Sequence, residues 1–203
     1  MNNRNKIKLL TTAALFCAMT AALTGLLRFP TPLGYVHLGD VVIYLAAATL
    51  PLPYAMAAGA LGGAIADYSA GYPQWILPTM LIKALITLPI AALSKRHPAC
   101  SAAEPPTPQG LFGYGKGKIS INRKPTASHF TVARIVAAVA LAGLITTGGY
   151  FIAAWAMYGL AAALLELSGY AAQATMSGLS FAVLCRSWKA EQCRQSKRAR
   201  KSQ

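Results

Sequence analysis

Gly34–Leu85 reads GYVHLGDVVIYLAAATLPLPYAMAAGALGGAIADYSAGYPQWILPTMLIKAL, and this stretch decides the fold. His37, Asp40, Asp67 and Lys83 stand here among residues otherwise suited to lipid. A charge inside an apolar helix costs about 2.5 to 3.5 kcal/mol on insertion scales, so each such group needs a partner, a watered cavity or a ligand. The mismatch between these four groups and their surroundings is the first functional clue.

The breakers within the stretch divide it into elements. Asp40 heads the apolar run Val41–Leu50, where an acidic group is favoured by the open amides and dipole of a helix start. Pro51-Leu52-Pro53 ends that run, so a short helix 2, a tight turn and helix 3 are expected. Gly59, Gly62 and Gly63 in helix 3 favour close helix packing in lipid; they do not make a nucleotide loop, which needs a Lys-Ser/Thr ending and a preceding strand. Gly71-Tyr72-Pro73 turns the chain into helix 4, with Lys83 near its middle. At about 1.5 Å rise per residue, Lys83 lies roughly 13 Å below that turn and Asp67 roughly 5 Å below it. Helical side chains lean toward the N-terminus, so the long Lys stem reaches toward Asp67 and an Asp67–Lys83 ion pair is expected. Whether Lys83 serves only that pair or also contacts a ligand is left open by the spacing.

Working outward, Arg28–Leu38 (RFPTPLGYVHL) carries two prolines and a glycine and cannot continue a helix. Its Phe29, Tyr35 and His37 suit a loop that closes over a ligand, and equally an aromatic anchor at a membrane interface. Before it, residues 7–27 form an apolar run of spanning length after a basic start, without an A-x-A cleavage site, and read as a retained first helix. Ala14, Ala18 and Ala22 line one face of it, which suits either packing inside the protein or a partner subunit.

Beyond helix 4, residues 94–130 are rich in Pro, Gly, Ser and Lys and read as a flexible basic loop. Its GYGKGK run lacks the strand-turn-helix frame of a phosphate loop. Helix 5 carries Gly148-Gly149-Tyr150, Trp155 and Tyr158, and Glu166, Tyr170 and Gln173 fall around the start of helix 6. A basic tail, 186–203, closes the sequence.

Of the 203 residues 55% are hydrophobic and 12% charged, too apolar for one soluble domain. Net charge is +14, but all the Lys and Arg except Arg28 and Lys83 crowd beside the ends of apolar segments, where such residues set membrane orientation. That placement argues against nucleic acid as a partner and for a lipid bilayer. The four cysteines show no metal spacing and read as reduced thiols.

The expected fold is therefore all-α: a single polytopic membrane domain, 1–203, with six transmembrane helices at about 7–27, 39–50, 54–70, 74–93, 131–158 and 168–185. Six spans put the basic segments on one side, so both termini are expected in the cytoplasm. Arg28, His37, Asp40, Asp67, Tyr72, Trp75, Tyr150, Trp155, Glu166 and Gln173 then gather in the outer half, with Lys83 reaching up from the middle. A polar, aromatic-walled pocket of that kind suits a small heterocyclic ligand.

This arrangement resembles the S component, the substrate-binding membrane subunit, of energy-coupling-factor (ECF) vitamin transporters. The resemblance rests on Ala14, Ala18 and Ala22, on VHLGD at Val36–Asp40, on ADYSAGYPQW followed by Lys83, on GGY at Gly148–Tyr150, and on Gln173 opening the last helix. It implies capture of a vitamin or vitamin precursor outside the cell, a heterocycle like hydroxymethylpyrimidine, pyridoxine or riboflavin, with the loop after helix 1 as lid. It also implies docking of the helix 1 alanine face on a transmembrane coupling subunit, with two cytoplasmic ATPases powering uptake into the cell across the plasma membrane. Carried over by residue, Tyr35, His37, Trp75, Lys83, Tyr150 and Gln173 would contact the ligand, while Asp40 and Asp67 hold helix ends or lie close to it. Neither cofactor nor metal is implied, and the subunit itself is non-catalytic. The long loop over 94–130 departs from the family's compact pattern.

Two other classes compete. A stand-alone secondary transporter could use Asp67 and Lys83 for ion coupling, although no inverted repeat is visible. An intramembrane enzyme could use His37 and Asp40 as a base pair, but no Ser or Cys nucleophile stands beside them in sequence.

Overall fold

A computed structural model of the protein describes residues 3–32, 34–95 and 132–201. Helix α1, Asn3–Leu26, leads into a hairpin of β1, Arg28–Thr31, and β2, Gly34–His37. Then follow α2 (Asp40–Thr49), α3 (Leu52–Ser69), a 3₁₀ turn at Pro73–Trp75, α4 (Ile76–Leu85), α5 (Thr87–Lys95), α6 (Val132–Tyr158) and α7 (Leu160–Lys201). The fold is mostly helical, as expected, and the stretch Arg28–Leu38, expected as a loop, contains one small antiparallel hairpin, paired Arg28 to His37, Phe29 to Val36, Pro30 to Tyr35 and Thr31 to Gly34. Pro30 is tolerated because the hairpin is all edge, and an edge strand does not need every N–H. Apart from Ser94 and Lys95, which belong to α5, the expected loop over 94–130 lies outside the described residues.

The breaks follow local chemistry. Proline begins α3 and the 3₁₀ turn, and Gly71 and Gly159 take positive φ, 82° and 89°, at the sharp reversals after α3 and α6. The single helix expected over 74–93 is divided at Ile86, because Pro89 has no N–H to give the Leu85 carbonyl. Thr87 Oγ1 instead donates to the Ala84 carbonyl at 2.6 Å. The last helix begins earlier than the expected 168, at Leu160, since AAALLEL is built from strong helix formers and nothing after Gly159 delays the restart.

Polar and apolar residues are arranged inside out. Thr20, Asp40, Asp67, Lys83, Thr146, Glu166, Gln173 and Ser177 are buried, while Leu26, Leu61, Leu77, Leu81, Leu144, Ile152 and Leu179 are exposed. Among the described residues three stretches, Lys6–Leu26, Pro73–Ala92 and Arg134–Tyr158, are long and apolar enough to cross a membrane by length and composition. Helix α2 is only 10 residues, about 15 Å. It lies within the bundle with Val41, Val42, Ile43, Tyr44, Ala46 and Ala47 buried, and Tyr44 meets Phe181 of α7 edge-on at 5.5 Å.

Glycines allow the closest approaches. A Cβ on Gly62 would lie 2.8 Å from the Cys17 carbonyl, so α1 and α3 touch backbone to backbone there; one on Gly149 would lie 2.7 Å from Ile82 Cγ1, where α6 meets α4. Ala14, Ala18 and Ala22 take no part in this packing and stand exposed on the far side of α1.

Candidate functional site

The hairpin lies over the bundle and closes a cavity lined by Thr31, Gly34, Tyr35 and His37 from above, Asp67 from α3, Trp75 and Thr79 from the turn and α4, Tyr150 from α6, and Glu166, Tyr170 and Gln173 from α7. The α7 residues fall at spacings of four and three, one face of a helix, and Thr79 stands one turn below Trp75. Gly169 lets the hairpin settle on α7: a Cβ there would meet Val36 Cγ1 at 3.3 Å and Thr31 Cγ2 at 3.6 Å.

Rings form one wall. Tyr150 stacks on Tyr170 with centroids 5.4 Å apart, and Trp75 lies 5.8 Å from Tyr150 and 6.1 Å from Tyr158. The Tyr150 hydroxyl donates to Thr79 Oγ1 at 3.4 Å. The roof is tied by Tyr35, whose hydroxyl donates to Asp67 Oδ1 at 2.5 Å. Burial and the adjacent carboxylate push the Tyr35 phenol well above its ordinary pKa, so it stays a donor.

Below the cavity lies a buried charged network. Lys83 donates to Asp40 in an ion pair with neither side chain exposed. Gln173 Nε2 donates to the other Asp40 oxygen at 3.0 Å, and the His37 backbone N–H donates to Gln173 Oε1 at 3.3 Å. The Gly39 N–H donates to His37 Nδ1 at 3.1 Å, and His37 Nε2 lies 3.4 Å from Lys83 Nζ. Burial, reinforced by the Lys83 charge, lowers the His37 pKa to about 3, leaving the imidazole neutral.

The expected Asp67–Lys83 pair is therefore not formed. Helix α2 supplies the partner instead: its buried start brings Asp40 to the level of Lys83. Gly63 opens the slot, since a Cβ there would sit 3.2 Å from Lys83 Cγ. Asp67, one turn above Gly63, is bonded by Tyr35 instead.

Of the residues carried forward from the sequence, Tyr35, His37, Trp75, Tyr150 and Gln173 meet at the cavity and Asp67 joins them. Lys83 and Asp40 sit behind it, with Lys83 Nζ 5.4 Å from the Tyr150 ring centre. Trp155 is 55% exposed and points away. Glu166, grouped with them in the outer half from the sequence, also lines the cavity. Thr31, Gly34, Thr79 and Tyr170 were not carried forward; helical spacing from Trp75 and from Gln173 could have found Thr79 and Tyr170. Among the described residues no group of three or more His, Cys, Asp or Glu side chains gathers for a metal.

The cavity holds about 30 Å³, room for one or two waters. A vestibule of about 290 Å³ lined by Arg28, Pro30, Gly34, Tyr35, Ala70 and Tyr72 lies beside it, and Gly34 and Tyr35 belong to both.

An inside-out helical bundle enclosing a polar, aromatic-walled cavity beneath a hairpin is the architecture of a multi-pass membrane protein. Residues 4–102 match the family of the ECF-type riboflavin transporter, S component, and that match with the three membrane-length apolar helices among the described residues supports a multi-pass protein of the plasma membrane. The resemblance read from the sequence is borne out by that match. A Pyrococcus woesei protein described as an uncharacterized protein in a gap 3′ region is 29% identical over 158 residues, 77% of this chain and 84% of that one.

Proposed function

We propose that the chain is the substrate-binding S component of an ECF transporter: it captures a vitamin or vitamin-precursor heterocycle outside the cell and delivers it inward when partner subunits hydrolyse ATP. The observation that carries this reading is the cavity itself, walled by Trp75, Tyr150 and Tyr170 and roofed by a hairpin whose attachment includes the Tyr35–Asp67 hydrogen bond. Rings offer stacking faces, and Asp67, Thr79, Glu166 and Gln173 offer the few placed polar groups that fix orientation.

In this reading α1, α2, α3, the α4–α5 pair, α6 and α7 make six passes with both termini cytoplasmic, supported by the basic residues at the ends of the apolar segments. Ala14, Ala18 and Ala22, exposed along α1, form the face for a transmembrane coupling subunit, and two cytoplasmic ATPases complete the module. His37 lines the cavity from the hairpin and Gln173 from α7, and Lys83 acts from behind by fixing Asp40.

The test is to purify the chain, measure binding of a panel of B-vitamins and their ring precursors, and then follow uptake into vesicles with and without the coupling and ATPase subunits. Tight binding with uptake only in the complete module is the expected result. Uptake without the partners would make the chain a stand-alone carrier, turnover of a bound compound would make it an enzyme, and no binding across the panel would overturn the vitamin reading.

A further inference from the structure

We propose that the groove between α6 and α7 is a binding site for one anionic phospholipid, whose acyl chain lies along the groove and whose headgroup is held by Arg186. The inference rests on the membrane-spanning fold and is independent of what the roofed cavity holds.

The groove has a volume of about 640 Å³, and its α6 side falls inside the apolar span Arg134–Tyr158. Its rims stand out into the surroundings: Val136 and Leu144 of α6 and Leu179 of α7 are 57%, 70% and 69% exposed. Its floor is where the two helices meet, since a Cβ on Gly178 would lie 2.4 Å from Val139 Cγ1 and one on Gly143 would lie 3.4 Å from Ala174 Cβ. Between floor and rims the short side chains of Ala140 and Ala171 keep the space open. The two threonines that line it turn their hydroxyls to the backbone, Thr147 to the Tyr170 carbonyl at 3.5 Å and Thr175 to the Ala172 carbonyl at 2.9 Å, so the groove is apolar along its length.

Its length suits one lipid tail. From Ile135 to Thr147 is about 18 Å along α6, against about 15 Å for one leaflet, half of a hydrocarbon core of about 30 Å. A tail that only crosses the mouth of such a groove forfeits dispersion contact on one side, whereas a tail lying along it touches both helices.

Charge fixes the occupant. One end of the groove is Ala182, and Arg186 stands exposed one turn further along the same face of α7. No carboxylate lines the groove. A guanidinium at that end can bind a phosphate bidentately and favours a headgroup of net negative charge. Other occupants fit less well. The segment between α5 and α6, rich in Pro, Gly, Ser and Lys, would bring unpaired backbone and positive charge into apolar surroundings. A second copy, related by a twofold axis along the membrane normal, would set its own Arg186 end against this one.

The experiment titrates the full-length protein, purified and stripped of lipid in detergent, with palmitoyl-oleoyl phosphatidylglycerol and with phosphatidylcholine of the same chains, counting bound lipids by native mass spectrometry. The first phosphatidylglycerol should bind about fivefold tighter than the first phosphatidylcholine, the step expected of one Arg beside an anionic headgroup. Arg186→Gln should bring the two lipids within about twofold, and Ala140→Leu, which fills the groove from an exposed position, should weaken both. A phosphatidylglycerol carrying a photoreactive group in its tail should label α6 and α7 of the wild-type protein along the groove. Equal binding of the two lipids overturns the proposal without recourse to any variant. Labelling that spares both helices also overturns it, as does a headgroup preference unchanged in Arg186→Gln. A dimer that forms at the expense of bound lipid and is lost in Ala140→Leu would assign the groove to a second copy instead.

Discussion

Lys83 and Asp40 form an ion pair in which neither side chain reaches solvent, and Gln173 secures the second Asp40 oxygen at 3.0 Å. The pair joins α4, α2 and α7 directly under the cavity. Removing one partner strands the other as a lone buried charge, which costs about 3 to 5 kcal/mol, whereas replacing both by apolar groups is often nearly neutral. Lys83→Met should therefore sharply lower the melting temperature in detergent, and adding Asp40→Leu should recover more than half of the loss. An unchanged melting temperature in Lys83→Met would refute the structural role of the pair.

Tyr35→Phe keeps the ring and deletes the 2.5 Å bond to Asp67. A hydrogen bond to a charged group contributes about 1.5 to 3 kcal/mol, so a roof held by it should lift about ten times more readily. In stopped-flow fluorescence of Trp75 the variant should release ligand about tenfold faster with little change in association. Equal release rates would mean that the bond does not restrain the hairpin.

His37 gives a pH signature through stability. Its folded pKa, about 3, lies below the ordinary 6.5, because burial and Lys83 oppose its charged form while Asp40 opposes the shift only in part. The unfolded state then binds the extra proton first, so His37 stabilises the fold fully above about pH 6.5 and progressively less as pH falls toward 3. Melting temperature should fall between pH 7.5 and pH 5, and His37→Gln should flatten that slope. An identical slope in the variant would rule out His37 as its source.

Gly63 is the slot through which the Lys83 stem passes, and a Cβ there would lie 2.8 Å from Thr79 Cγ2 and 3.2 Å from Lys83 Cγ. Gly63→Val should destabilise the protein by about 1 to 3 kcal/mol through overpacking. It should also weaken ligand binding by displacing Thr79 from the cavity wall. Wild-type binding and stability together would contradict the tight approach of α3 and α4.

Ala18→Leu addresses the exposed face of α1. Bulk there should abolish assembly with the coupling subunit and hence uptake, while ligand affinity of the isolated chain stays within about twofold of wild type. Uptake that persisted in this variant would remove the docking role from the alanine face.

The helical turns were legible where proline or glycine punctuates the chain, as at Pro51–Pro53 and Gly71–Pro73. The hairpin was not, because two strands of four residues are too short to show an alternating pattern and Pro30 reads as a breaker. Local spacing could place Asp67 and Lys83 on neighbouring helices but could not show that α2 starts inside the bundle, so the ion pair was assigned to the wrong aspartate. The ring residues of the cavity were visible as aromatics beside turns. Thr79 carried no signal of its own and became readable only through the helix face it shares with Trp75.

The short α2 has a consequence for how the cavity opens. Where a full-length helix would line the upper part of the bundle, the chain places a hairpin whose hydrogen-bond ladder is its own. It can swing as one piece without unwinding any helix, and the bonds described across its edge are few: Tyr35 to Asp67, the His37 amide to Gln173 and His37 Nε2 to Lys83. In the proposed reading these few contacts govern ligand entry; those of His37 belong also to the buried network of Gln173, Lys83 and Asp40, so the Tyr35–Asp67 bond is the one through which access can be changed with least effect on the bundle.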